Sequence, residues 1–388
     1  MSRLKIFRCV ALLVLVSALV AQSDSPNKEV HTATEIRLLD PGWWPTKGTP
    51  ARDEYVGSDA CAKCHAERAQ TQKNSAMAHA LVSASAAVPQ QVSQGPLGFR
   101  IGAYSYEVTQ AANGPSYSVN NGSQSLSVPL KWAFGNGEFG QTYMFEQNGF
   151  FYESRVSYYS APRALDFTTG SPRSAPGNLD TALGRRMYPD EARLCFGCHS
   201  TAATTSDRFD ANQLVPGVSC EACHGPGAQH VAAMNLGAAG DQTPSFIMNP
   251  ARLGPVGSVE FCGACHRTSV DAALSGATGI LTIRFPAYRL ERSRCSAMVD
   301  ARLTCVACHD PHKPLVRDAA YYDDRCLSCH VAVGVAKSNR DHPGMACRAG
   351  QKTSCVTCHM PKYNVPEMHT TFTDHKISIH REGDLFTQ

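Results

Sequence analysis

The sequence predicts a mainly α chain with much irregular backbone, interrupted by one antiparallel β insertion. Three observations carry that expectation. A five-residue motif, Cys-x-x-Cys-His, occurs seven times. From Cys195 onward its copies start 25, 42, 43, 21 and 29 residues apart, which leaves room for a helix and a loop each. Between the first and second copies, residues 95–170 hold neither Cys nor His and alternate Tyr, Val, Ser and Phe between NG and GP pairs, the pattern of hairpins.

The copies are CAKCH at 61–65, CFGCH at 195–199, CEACH at 220–224, CGACH at 262–266, CVACH at 305–309, CLSCH at 326–330 and CVTCH at 355–359. This spacing suits covalent c-type haem attachment. Two thiols add to the two haem vinyl groups as thioethers, and the next residue, His, lies under the iron as proximal ligand. The expected attachment residues are Cys61, Cys64, Cys195, Cys198, Cys220, Cys223, Cys262, Cys265, Cys305, Cys308, Cys326, Cys329, Cys355 and Cys358. The expected proximal ligands are His65, His199, His224, His266, His309, His330 and His359. Half a zinc site or a dithiol redox pair also uses Cys-x-x-Cys. Neither requires the His that follows every copy, and the motifs use 14 of the 17 cysteines. The reading is therefore seven covalently attached haem c, within a multihaem cytochrome c fold.

The chain has 388 residues, with 23 Pro and 30 Gly. Porphyrins are expected to form much of the core. Residues 1–21 read as a signal peptide: Arg3, Lys5 and Arg8 precede an apolar run from Val10 to Ala21. That run is shorter than the roughly 20 residues of a membrane span, and Cys9 precedes it. Export to the periplasm or the extracellular space follows. Membrane contact is expected only through partners or an uncleaved signal. The formal charge of +3 falls to zero without the three basic residues of the signal, and haem propionates add negative charge. No basic run points to nucleic acid.

In chain order, 22–54 is expected as an extended N-terminal arm carrying Trp43, Trp44 and His31. Residues 55–94 form the first haem segment, with Asp59 as candidate N-cap and His79 on a continuation of the helical pattern. Residues 95–170 are the β insertion, of four to six strands. Residues 171–388 form a six-haem cluster domain.

An iron with His on both faces passes electrons but resists substrate, whereas an open face permits chemistry. Eight His lie outside the motifs, a near match to seven irons. Some stand in distinctive contexts: His230 in CEACHGPGAQH, His312 in CVACHDPH, and His375 in FTDHKISIH after CVTCHMPK. With the first haem segment, these residues resemble the cytochrome c-554 family and its relatives, the multihaem nitrite reductases and hydroxylamine oxidoreductases. The resemblance implies distal ligation by His79, His230, His312 and His375, with His342, His369 and His380 as further candidates. All seven motifs end in His, unlike the Lys-ligated catalytic haem of the respiratory nitrite reductases. Met77, Met298 and Met368 could supply thioether ligands but read first as packing. Cys295 and Cys347 form a disulfide, stay as buried thiols, or supply a thiolate ligand. Tyr288, Arg289 and Arg292 read as partners of propionates.

The expected function is electron transfer between a donor and an acceptor protein by an exported heptahaem cytochrome, with no catalytic residue assigned. One alternative is an oxidoreductase acting on a small inorganic nitrogen or sulfur oxyspecies at one five-coordinate haem. Another is a subunit of an extracellular haem filament.

Overall fold

The computed structural model describes residues 50–386, except 207, 238–245, 294, 298–299, 329, 331–352 and 382. The expected signal, His31, Trp43, Trp44, Cys329, Met298, His342 and Cys347 lie outside the described residues.

The fold is mixed rather than mainly α. Ten strands run between Leu81 and Arg186: β1 Leu81–Ser83, β2 Leu97–Ile101, β3 Tyr104–Ala111, β4 Gly114–Asn120, β5 Ser125–Pro129, β6 Trp132–Phe134, β7 Gly140–Gln147, β8 Phe150–Tyr159, β9 Ala164–Phe167 and β10 Gly184–Arg186. They make two antiparallel sheets, β2-β3-β4-β5 and β1-β6-β7-β8-β10, with β9 also paired to β8. Eight strands, not four to six, lie within 97–167, and β1 and β10 join them from outside the expected insertion. Among the described residues three further two-stranded sheets occur between the motifs or after them, including Lys362–Val365 paired with Thr370–Thr373.

The reason for the difference is local. Only CFGCH and CGACH close longer helices, Pro189–His199 and Pro255–His266, among the described residues; Cys220–His224 and Cys355–His359 each have five residues. The linkers between them spend β-branched Thr and Val on hairpins such as Thr204–Thr205 with Arg208–Phe209, since these side chains favour extended backbone. The Asn148–Gly149 turn between β7 and β8 has φ of 52° and 77°, the two positive values of a type I′ hairpin turn.

The β unit has its own core. Tyr106, Val108, Tyr117, Val119, Phe145 and Val156 are buried together, and helix Ala84–Gln91 covers them with Ala84 and Val88. A second cluster joins this unit to a motif. Phe196, one of the two variable residues of CFGCH, is fully buried. Its ring meets Phe134 edge-on at 4.9 Å and Phe151 at 5.2 Å. The sheet therefore holds the second motif in place.

The first haem segment also departs from expectation. Gly57, not Asp59, is the N-cap of helix Ser58–Ala62, with φ of 79°. The next helix ends at Lys73, and His79 lies in a separate 3-10 turn, Met77–His79. Among the described residues no helix is long and apolar enough to cross a membrane.

Candidate haem-binding sites

Three motif histidines are oriented by backbone carbonyls. Nδ1 of His199 donates to Ala80 O at 2.8 Å, Nδ1 of His224 to Met248 O at 2.8 Å, and Nδ1 of His359 to Ser378 O at 2.9 Å. A carbonyl only accepts, so the proton sits on Nδ1 and the Nε2 lone pair points away. That is how a second partner sets the tautomer of a metal-ligating imidazole. Burial lowers the pKa of His199, His266, His309 and His375, the last to about 4. They are neutral, the form that binds metal.

Two imidazole pairs bring together histidines far apart in sequence. The rings of His224 and His312 have centres 6.0 Å apart and planes 18° apart. Those of His309 and His375 are 6.3 Å apart at 43°. Two imidazoles on opposite faces of one metal, each nitrogen about 2 Å from it, put their ring centres roughly 6 Å apart. The outer nitrogens have other partners. His375 Nδ1 donates to Thr373 O at 3.2 Å, and His312 Nδ1 lies 3.2 Å from Arg68 and 3.5 Å from Asp310.

His65, His79 and His330 are exposed, and His230 is half-buried on helix Ala228–Asn235. His79 sits between motifs: the neighbouring Ala80 O takes the His199 proton, and Met77 O accepts from Val218 N at 2.9 Å. His369 Nε2 donates to Asp166 at 2.9 Å. His380 contacts Ser378 Oγ at 2.6 Å and Tyr363 OH at 3.4 Å. Cys295 is half-buried. Arg289 is buried against Asp374, not facing open space.

The motifs adjoin one another in a defined order. Cys61 and Cys220, Cys198 and Cys265, and Cys262 and Cys305 are neighbours close enough to shift one another's ionisation. Cys223 lies within electrostatic reach of Cys265, Cys308 of Cys326, and Cys355 of Cys326. The copies at 61–65, 220–224, 262–266, 305–309, 326–330 and 355–359 thus run as a row, and the copy at 195–199 joins at 262–266.

The donor set fits covalent haem better than a bare ion. Burial pushes the Cys195 thiol up to about 11 and Cys223 to about 12, although neighbouring Cys61 and Cys262 hold Cys220 and Cys305 down. Zinc would need these sulfurs deprotonated, whereas a thioether is neutral. Among the described residues no three His, Cys, Asp or Glu converge to hold a bare metal ion.

Sequence reasoning missed the carboxylates that hold the motifs together. Glu221, a variable residue of CEACH, is 1% exposed, Asp323 is 5% exposed, and Asp374 is fully buried. Nothing in a single sequence separates such an acid from a solvated one. Its proximity to a motif was the only signal available.

Repeated Cys-x-x-Cys-His segments, neutral oriented imidazoles and cross-motif imidazole pairs are the features of a multihaem c-type cytochrome, the class that likeness to known proteins also supports. A family model described as cytochrome c554 and c-prime matches residues 162–225, which contain two of the motifs. The chain is similar to the multiheme cytochrome MtrA of Shewanella baltica (strain OS185), 25% identical over 220 residues that cover 54% of this chain and 55% of that protein. It therefore spans about half the length of that curated relative. A solved structure of the outer cell wall cytochrome OcwA aligns over 84% of this chain and 79% of that one, with 13% identity and a TM-score of 0.46.

Proposed function

We propose that this chain is an exported heptahaem electron carrier working between redox partner proteins. The thiols of each motif would hold one haem c, and the motif His would ligate its iron. His312 would complete the site begun by His224, and His375 the site begun by His309. His79 and His230 remain candidates for other irons. Haem iron carries one electron at a time between its ferric and ferrous states. The chain keeps several of these imidazoles neutral, fixes the tautomers of His199, His224 and His359 by carbonyl contacts and brings neighbouring motifs close together.

The observation that carries this reading is the pair of cross-motif imidazole distances, 6.0 and 6.3 Å. Ligands on both faces favour electron transfer over substrate binding. Oxidised holoprotein is expected to give low-spin EPR signals throughout.

One observation favours an oxidoreductase as a second reading. Arg284 lies close enough to His199 to lower its pKa, and no carboxylate pairs with Arg284 among the described residues. A small oxyanion would suit that guanidinium. A substantial high-spin EPR fraction that shifts with nitrite or hydroxylamine would transfer the assignment to this reading.

A further inference from the structure

Glu221 and Asp323 do the same thing at opposite ends of the row of motifs. Glu221 lies between the two cysteines of CEACH. Its Oε1 accepts from Val56 N at 2.9 Å and Gly227 N at 2.8 Å, and its Oε2 from Gly57 N at 2.8 Å. Val56 and Gly57 lead directly into helix Ser58–Ala62, which carries Cys61. Asp323 lies three residues before Cys326. Its carboxylate accepts from Ser354 N at 2.6 Å and Cys355 N at 2.8 Å, the start of helix Cys355–His359.

In both cases a buried acid beside one motif caps the helix of another. Gly57 and Ser354 are N-caps of motif helices, Cys355 is a first helical residue and Gly227 caps helix Ala228–Asn235, and a negative charge is favoured at such helix starts. Five backbone donors meet two carboxylates, which as ions offer only acceptors. Gly227 permits this closeness, since a Cβ there would lie 2.9 Å from Val56 Cγ2 and 3.3 Å from Glu221 Oε1.

We propose that Glu221 and Asp323 are positioning residues. Each locks two haem motifs in register, 61–65 with 220–224 and 326–330 with 355–359, and each places a fixed negative charge inside the pair. The proposal rests on the electron-carrier reading. A buried negative charge stabilises the ferric state of irons nearby, so each pair is biased toward lower potential than its ligands alone would set.

The test uses the full holoprotein with Glu221→Gln, which keeps the shape and removes the charge. Peptide mass spectrometry gives haem occupancy at each motif, and spectroelectrochemical titration with Soret circular dichroism gives potentials and haem–haem coupling. The expected result is full occupancy, an upward shift in the potentials of two haems and an altered coupling signal. Asp323→Asn should do the same at the other pair. Should Glu221→Gln lose haem, loss confined to 61–65 or 220–224 supports the lock and loss elsewhere overturns it. Fully loaded variants with wild-type potentials and dichroism also overturn it. Wild-type protein without haem at these motifs would instead refute the carrier reading.

Discussion

Arg289 and Asp374 meet as a bidentate ion pair with no solvent exposure on either side: Nε lies 2.8 Å from Oδ1 and Nη2 2.7 Å from Oδ2. The pair ties helix Pro286–Glu291 to the residue just before His375. Ser293 adds a second tie, donating to His375 O at 3.3 Å and accepting from Ile377 N at 2.8 Å. The placement of His375 opposite His309 thus depends on residues about 85 positions earlier in the chain.

Breaking this pair leaves a buried charge without its partner. Arg289→Ala is expected to cost about 3–5 kcal/mol. The double variant Arg289→Met with Asp374→Leu should cost less, since it removes both charges. Chemical denaturation of the holoproteins measures the ordering, and equal losses in the two variants would contradict it.

Removing a distal imidazole should change one iron and leave the rest. His312→Ala and His375→Ala are each expected to convert one low-spin haem to high-spin without lowering the haem count. His369→Ala is expected to leave the spin state alone, because its Nε2 is committed to Asp166. EPR spin quantitation decides among these outcomes.

The seven Cys-x-x-Cys-His segments were legible in the sequence because thioether chemistry would fix their spacing. His312 and His375 stood out by their contexts, but their partners did not. His224 meets His312 only after the chain has passed two further motifs. The fold class was misread because helix and loop seemed the economical filling of 21–43 residue intervals. Thr- and Val-rich linkers such as 200–216 instead fold back as short hairpins. The β unit was visible through its alternation. Its closure by β1 and β10 was not, since three-residue strands such as Gly184–Arg186 carry no periodic signal.

Asp323 gives the structure an acid sensitivity. The Cys355 N–H, then that of Ser354, hold its carboxyl below the usual range against the opposing effect of burial. A depressed folded-state pKa means stability that is fully present above the unfolded value and lost as pH falls through the folded one. Wild-type holoprotein is expected to lose stability as pH drops below about 4, and Asp323→Asn to show a flatter acid limb from a lower start. Thermal melts across that range measure both slopes, and parallel curves would count against the assignment.

Gly217 has φ of 77°, and a Cβ there would lie 1.9 Å from Ala78 O. Gly217→Ala must displace backbone that adjoins both His79 and the Ala80 carbonyl holding His199. The expected cost is at least about 1–3 kcal/mol, with a changed spectrum for the haem at 195–199. A wild-type melting temperature would contradict this.

The most direct test is the intact mass of the mature protein, read together with its pyridine haemochrome. Seven haems per chain, each traced by peptide mapping to a different Cys-x-x-Cys-His segment, is the predicted result. A mass equal to the bare polypeptide, or a motif that carries no haem in fully matured protein, would contradict it.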